Sequence, residues 1–473
     1  MDRKKHIDVN EAAKDAQELT EEDLNDSIEV AVRNYHAPKS PEVLRHLEWF
    51  RDQKFGLMVH WGLYNQLGIK ESWPLVDNEW SKWQFRPGTP NAAVKEMYSR
   101  LHKGFLPLRF DPDEWADIAW RAGFRYLVFT AKHHDGFCMW NTETTDYKVT
   151  GPEVPWRTEK NADITKALFD SFRAKGMGIS LYYSRADFKC PLYWEEGYAE
   201  KDGTVRLPSY DPDEKPEKWK AFQEYVYSQL LELVSGYGRI DCLWYDGGCD
   251  GVKLGLPEMT ERLRKIQPWM IGVIRGGQGV CEDIVTPEIK IPDRPIPVPW
   301  EACTVMGKKF PGEKYTSFGY TYDQDYMSAK EIAHLLLDIV AKGGNLALNL
   351  APQPDGRLPG RAVRELRILA EWMDIFGPAI YATRVCAPYR KGSWAFTARK
   401  DGKKVHAFYL YEDQETVPGK LTIPFPGDTE RTVWLRTGEE LSFRKTQEGV
   451  EVFLPSHLTG RTGDIADCIV LDC

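Results

Sequence analysis

Asp246 ends a largely apolar run (240–245) and is followed at once by Gly247 and Gly248. That pattern puts a carboxylate at the end of a buried strand, where the chain turns tightly and a ligand can approach. A lone acid there also reads as a helix cap, but the same layout recurs along the chain. Phe55–Val59 runs into His60-Trp61-Gly62, and 126–131 runs into Lys132-His133-His134-Asp135-Gly136. Residues 179–183 lead to Ser184-Arg185, and 270–274 to Arg275-Gly276-Gly277.

Glycosidic bonds need two carboxyl groups, one to attack or to activate water and one to protonate the departing oxygen. Asp246 is the candidate for the first. Glu288, after Thr286-Pro287, and Glu301, after Trp300, are candidates for the second, in a stretch whose prolines restrict the backbone. Either also reads as a solvated loop charge, and a proton donor would need its pKa raised by burial or a nearby carboxylate. His60, His133 and His134 are of metal-ligand type. Neighbouring strand residues face opposite ways, however, so His133 and His134 converge only if the strand end bends, as Gly136 allows. HxH and HExxH spacings are absent. Neutral imidazoles donating to sugar hydroxyls therefore fit better than a metal, with Arg275 and Tyr183 as further donors. Trp244 shares the strand face of Asp246 and either walls a pocket or fills the interior.

Amphipathic helical patterns lie between these strands. Asp111-Pro112-Asp113-Glu114 reads as an N-cap, a first-position proline and a capping acid, opening a helix that buries Trp115, Ala119 and Ala122 and stops at Gly123. A second helix carries Ile164, Leu168 and Phe172, and a third Phe222, Val226, Leu230 and Leu233. Ser328-Ala329-Lys330-Glu331 opens another that leads to Gly343–Leu350 (343–350), read as barrel closure. Strand and helix alternate, and polar clusters mark at least five strand ends. A (β/α)8-like barrel draws its chemistry from several strand ends, whereas an open doubly wound sheet uses one switch point, so an α/β barrel is expected. From 384 the pattern changes to short alternating runs (394–397, 405–410, 433–435, 450–454) separated by turn formers such as Asp401-Gly402, which predicts an antiparallel β-sandwich. The expected division is a charged extension over 1–35, a catalytic barrel over 36–383 and a sandwich over 384–473. The extension reads as either a helix or a subunit-contact arm.

At 473 residues with 42% hydrophobic content, the chain has the composition of an ordinary globular protein. A net charge of −9 with no basic cluster argues against nucleic acid as a partner. No apolar stretch reaches membrane-spanning length, which argues against a membrane partner. The amino terminus lacks a secretory core, and the nine cysteines show no CxxC, so a reducing cytoplasm is the expected location. Trp and Tyr are abundant (17 and 22), and those beside the polar strand ends are candidates for stacking on sugar rings.

In chain order, the chain contains KFGLMVHWGLY (54–64), Glu79-Trp80, KHHDGFCMWNTETTDY (132–147), LYYS (181–184), LWYDGG (243–248), TPE (286–288), Trp300-Glu301, SFGY (317–320) and KGGNLALNLAPQPDG (342–356). Together these resemble the α-L-fucosidases of glycoside hydrolase family 29 over about residues 45–385. The resemblance implies a (β/α)8-like domain followed by a β-sandwich. It also implies hydrolysis of terminal α-L-fucosides on oligosaccharides or glycoconjugates, with retention through a fucosyl-aspartate and with no metal or cofactor. It assigns Asp246 as nucleophile and Glu288 as acid/base, with Glu301 in reserve because both glutamate types serve in the family. It assigns His60, Glu79, Trp80, His133, His134, Tyr183, Trp244, Arg275 and Phe318 to fucose binding, with Tyr182 as an alternative to Tyr183. Where the family often has Asn-Asp-Arg-Trp, this chain has Val273-Ile274-Arg275-Gly276, so that wall departs from the pattern. Two other classes compete: a metal-dependent barrel hydrolase using the histidines, and a carbohydrate-binding homologue without catalysis. Linkage preference rests on loops such as 65–77 and 189–213, and a homo-oligomer is compatible with the sequence.

Overall fold

Seven parallel strands form one sheet: β1 (Phe55–Val59), β2 (Tyr126–Lys132), β3 (Gly178–Ser184), β4 (Cys242–Asp246), β5 (Ile271–Ile274), β6 (Glu301–Val305) and β7 (Asn345–Asn349). Their order is β5-β4-β3-β2-β1-β7-β6. The structure is a computed structural model that describes residues 21–76, 81, 85–86, 88–195, 206–275, 281–308 and 317–473, with the backbone alone for 21–27. The sheet curls until β5 faces β6, and the irregular run 283–289 bridges the gap. Asp283 N–H donates to the Gly272 carbonyl on the β5 side (2.9 Å). On the β6 side, Val285 donates to Pro299 (2.9 Å), Glu301 to Val285 (2.9 Å) and Ile289 to Cys303 (2.8 Å). The result is the (β/α)8-like barrel expected from the strand pattern, with one of its eight staves irregular. The pairing of β7 with β1 accounts for the closing role read into 343–350.

The helices are α1 (Glu21–Asn34), α2 (Pro41–Gln53), α3 (Asn91–Tyr98), α4 (Pro112–Arg121), α5 (Ile164–Ala174), α6 (Pro216–Gly236), α7 (Gly251–Leu254), α8 (Leu256–Arg264), α9 (Ala329–Ala341) and α10 (Gly360–Phe376). Local chemistry sets several of their starts. Asp111 accepts from the N–H groups of Asp113 and Glu114 ahead of α4, and Ser328 and Glu331 form a reciprocal capping box ahead of α9. The strands are buried on both faces, so they read as continuous apolar runs. Outward-facing Leu57, Phe129, Leu181 and Leu243 join the core shared with the helices, while inward-facing Met58, Val128, Tyr182, Trp244, Val273 and Ala347 fill the barrel. Leu47 and Phe50 of α2 plug that interior from its amino end. No helix among the described residues is long and apolar enough to cross a membrane.

From β8 (Thr383–Lys391) onward the strands are antiparallel: β9 (Trp394–Arg399), β10 (Lys404–Leu410), β11 (Lys420–Ile423), β12 (Arg431–Trp434), β13 (Glu439–Glu440), β14 (Ser442–Thr446), β15 (Gly449–Phe453) and β16 (Ala466–Asp472). Six form the sheet β13-β12-β16-β10-β9-β8 and three form β11-β15-β14. Phe396, Ala407, Ile423, Trp434, Val452 and Leu471 pack between them as a separate core, which is the sandwich arrangement. Asp52, just before the barrel's first strand, pairs with Arg384 (2.9 Å) and Lys400 (2.7 Å), fixing the sandwich against the barrel's amino end. The carboxyl end, where the polar clusters lie, is left to the loops.

Candidate active site

Asp246 is the last residue of β4 and is 4% exposed. The backbone turns away from it through two left-handed glycines, Gly247 (φ 56°) and Gly248 (φ 85°). A Cβ on Gly247 would lie 2.5 Å from the His134 ring, and one on Gly248 would lie 2.7 Å from the Ala186 nitrogen. The glycine pair is what lets β2 and β3 bring their ends against the carboxylate. One carboxylate oxygen, Oδ1, is 3.2 Å from Nη1 of Arg275. The other, Oδ2, accepts from the Tyr182 hydroxyl and lies 3.7 Å from Nε2 of His134. Burial opposes ionisation of this acid, but the Arg275 and Arg206 charges and the Tyr182 hydroxyl outweigh it and hold its pKa well below the usual carboxylate range. It is therefore an anion near pH 7.

The second nitrogen of the same guanidinium contacts the carboxylate of Glu288. Glu288 lies on the irregular stave and forms a parallel bridge with Cys303 of β6. One arginine therefore joins the two acids across the barrel mouth. Glu301 lies elsewhere. It is the first residue of β6, in register with the first residue of β7, so it belongs to the barrel's amino end. Its carboxylate accepts from Tyr126 Oη (2.6 Å) and Trp244 Nε1 (3.2 Å), beneath the rings of Trp244 and Tyr182. Burial raises its pKa to about 7. That value would suit a proton donor, but its position removes it from the reserve role, since two aromatic rings separate it from the rim.

The histidines converge from two strands. His60 follows β1, and its Nδ1 is 2.8 Å from Oδ1 of Asn349, an oxygen that also accepts from the His60 backbone N–H (3.1 Å). Asn349 Nδ2 donates to the Phe318 carbonyl (2.7 Å), and the Phe318 ring lies 4.9 Å from that of His60. His134 Nδ1 is 2.6 Å from Ser184 Oγ, whose own proton goes to the Ala186 carbonyl (2.7 Å). Both rings must therefore carry their proton on Nδ1. This corrects the expectation that neutral imidazoles would donate to a sugar: Nε2 of His60 and of His134 presents a lone pair and accepts. His133 Nδ1 meets Ser72 Oγ at 2.6 Å, and its ring lies 4.2 Å from that of His134. Burial lowers the pKa of His60 to about 4 and of His134 to about 3, and pushes that of His133 down as well, so all three are neutral near pH 7.

The two tyrosines of LYYS divide between the faces of β3. Tyr182 points inward to Asp246 and stacks on Trp244 at 5.3 Å. Tyr183 points outward, where Lys132 Nζ donates to it (2.8 Å) and it donates to Gln229 (2.6 Å) behind the barrel wall. The assignment of Tyr183 to the pocket is thus corrected to Tyr182. Trp244, 1% exposed, is floor beneath Tyr182 rather than side wall. Glu79 and Trp80 lie outside the described residues. The structure therefore brings together Asp246, Glu288, Arg275, His60, His133, His134 and Phe318, over Trp244. Tyr182, the alternative to Tyr183, completes the site together with Asn349, Ser72, Ser184 and Arg206, and these last four escaped the sequence reading. Asn349 had a usable signal, a lone polar residue ending an apolar strand. Ser184 had another, since it shares the parity of Tyr182.

Tyr182→Phe is expected to lower kcat by roughly 10- to 100-fold, the worth of one hydrogen bond to a charged group. Tyr183→Phe should keep kcat within about 3-fold and instead lower stability by about 1–3 kcal/mol by depriving buried Lys132 of a partner. Steady-state kinetics with thermal melts separates the two, and the reverse pattern would contradict the placement.

The α-L-fucosidase family model matches residues 24–378. The chain belongs to that family. It is accordingly a glycoside hydrolase that acts on α-L-fucosides. Tissue α-L-fucosidase of Rattus norvegicus is 28% identical over 446 residues, covering 86% of this chain and 85% of the relative. The human tissue enzyme is 27% identical over 417 residues, covering 81% and 79%. Among solved structures, α-L-fucosidase isoenzyme 1 from Paenibacillus thiaminolyticus superposes with a TM-score of 0.73 at 26% identity, over 91% of this chain and 99% of that one. The Thermotoga maritima α-fucosidase in complex with fucose gives 0.70 at 27% identity, over 93% and 98%. The fucosidase likeness therefore extends over the barrel and the sandwich alike.

Proposed function

We propose that this family member is an exo-acting, retaining α-L-fucosidase working by double displacement on terminal fucose of oligosaccharides or glycoconjugates. Asp246 attacks the anomeric carbon while Glu288 gives a proton to the departing glycosidic oxygen, leaving a fucosyl-Asp246 ester. Glu288 then takes a proton from water, the water attacks the same carbon, and the ester bond breaks to restore Asp246. Two inversions give net retention. Sugar entry between the two acids parts Glu288 from the Arg275 guanidinium it contacts in the free protein. The lone pairs of His60 and His134 accept from sugar hydroxyls, and Phe318 offers an apolar surface to the fucose methyl.

The observation that carries this reading is the single guanidinium in contact with both carboxylates. Both acids thus flank one barrel mouth, as double displacement requires, and the retaining course itself is taken from the fucosidase resemblance. The metal-dependent alternative has one observation in its favour: donor atoms of His133, His134 and Asp246 lie within 4.8 Å of one another. A cation among them would face the positive charges of Arg275 and Arg206, which already act on Asp246. Exhaustively chelated protein is expected to release fucose from 4-nitrophenyl α-L-fucoside at an undiminished rate, with the α-anomer appearing first by NMR. Activity lost to chelation and restored by a metal ion, or the β-anomer first, would overturn the proposal. Failure to turn the glycoside over at all would favour the non-catalytic class.

A further inference from the structure

Arg206 stands where the connection from β3 to α6 returns to the barrel mouth. Its guanidinium lies 4.4 Å over the ring of Trp73, and Trp73 meets the edge of His134 at 4.9 Å. His134 in turn faces Asp246 at 3.7 Å, so two aromatic rings connect this cation to the nucleophile. Arg206 is held there deliberately. It has a left-handed backbone (φ 71°), unusual for a residue with a side chain. Its carbonyl accepts from the Tyr193 hydroxyl, and the next carbonyl, that of Leu207, accepts from Trp194 Nε1 at 2.9 Å. Trp194 stacks on Phe188 at 4.1 Å, and Phe188 stands 5.7 Å from the His134 ring. A second cation, Lys95, lies 5.2 Å over the ring of Trp194.

Among the described residues, the part-buried Arg206 side chain forms no hydrogen bond or ion pair, and desolvation lowers its pKa to about 10. Desolvating a cation without a partner is unfavourable. Asp246, whose charge acts on Arg206, is engaged by Arg275 and Tyr182 and loses its charge when it forms the ester. An anionic group bound at the mouth would supply a counter-charge. The chain as a whole carries −9, so it offers acidic glycans no general attraction, and a cation at the mouth is a local exception.

We propose that Arg206, seated on Trp73, forms a leaving-group subsite for an aglycone that carries an acidic oxyanion, a carboxylate or a sulfate, next to the fucose. This inference rests on the fucosidase assignment and adds the substrate class to it. A guanidinium makes paired, charge-assisted hydrogen bonds to such groups, and a part-buried position protects them from salt screening.

The test compares kcat/KM for 3- and 4-carboxyphenyl α-L-fucosides with their carbamoylphenyl counterparts, which match them in shape but not in charge. The native protein should favour at least one carboxylate over its amide by about 10-fold, and Arg206→Gln should bring that ratio near 1. Arg206→Lys, which keeps the charge, should retain part of the preference, and thermal melts of both variants report whether they fold. Turnover of all four glycosides with no charge preference, or a preference that survives Arg206→Gln, would overturn the subsite alone. No turnover of any of them would overturn the fucosidase assignment and the subsite together.

Discussion

Asp246→Gly is expected to abolish turnover, by roughly 10⁴-fold or more, while fucose still binds. The substitution removes the carboxylate that contacts Tyr182, His134 and Arg275, and no other carboxylate among the described residues contacts all three. Glu288 contacts the far side of the same guanidinium, and Glu301 lies beneath two aromatic rings. Binding persists because the acceptor nitrogens of His60 and His134 are fixed by Asn349 and Ser184, neither of which depends on Asp246. The vacated space adjoins Arg275 and would suit a small anion. Added azide should therefore restore release of a good leaving group and give the β-fucosyl azide, since it attacks from the face the aspartate used. Calorimetric titration with fucose and product analysis with azide check both halves. Near-native turnover by the variant would refute the nucleophile assignment.

Glu288→Ala should separate substrates by leaving group. Proton donation is worth about 10²–10⁴-fold when the departing oxygen is a sugar hydroxyl, and little when it is a nitrophenolate. Fucosylated oligosaccharides should accordingly slow by that factor, and the fucosylation step with 2,4-dinitrophenyl fucoside by less than about 10-fold. Glu301→Gln should show no such dependence on leaving group, because Glu301 stays under the barrel floor. If Glu301→Gln shows the dependence and Glu288→Ala does not, the proton donor has been misassigned.

The carboxyl ends of the strands were legible because a strand covered on both faces is apolar until it emerges, so the first polar residues mark the rim. His60, His133, His134, Asp246 and Arg275 were found that way. The helix starts at Asp111 and Ser328 were legible because capping is local chemistry. Less legible was anything decided by register or direction. Tyr182 and Tyr183 are identical in type and differ only in which face of β3 they occupy, and the pairing of Tyr182 with Trp244 and of Ser184 with Asp246 sets that. Glu301 looked like a rim residue because it follows Trp300, yet the apolar strand (302–305) comes after it, so it begins a strand instead of ending one. The stave 283–289 carries its barrel bonds without a regular strand pattern, and Pro287 with the prolines that follow it disguised it. Arg206 had no local signal at all, since its place depends on a long connection folding back over Trp73.

The most direct test uses 2-deoxy-2-fluoro-α-L-fucosyl fluoride, whose 2-fluorine slows both steps while the fluoride leaving group keeps ester formation the faster, so that the ester accumulates. Peptide mapping by mass spectrometry after incubation should find the fluorofucosyl group on Asp246. A label on Glu288 or Glu301, or no covalent label in a protein that turns over the reagent, would contradict it.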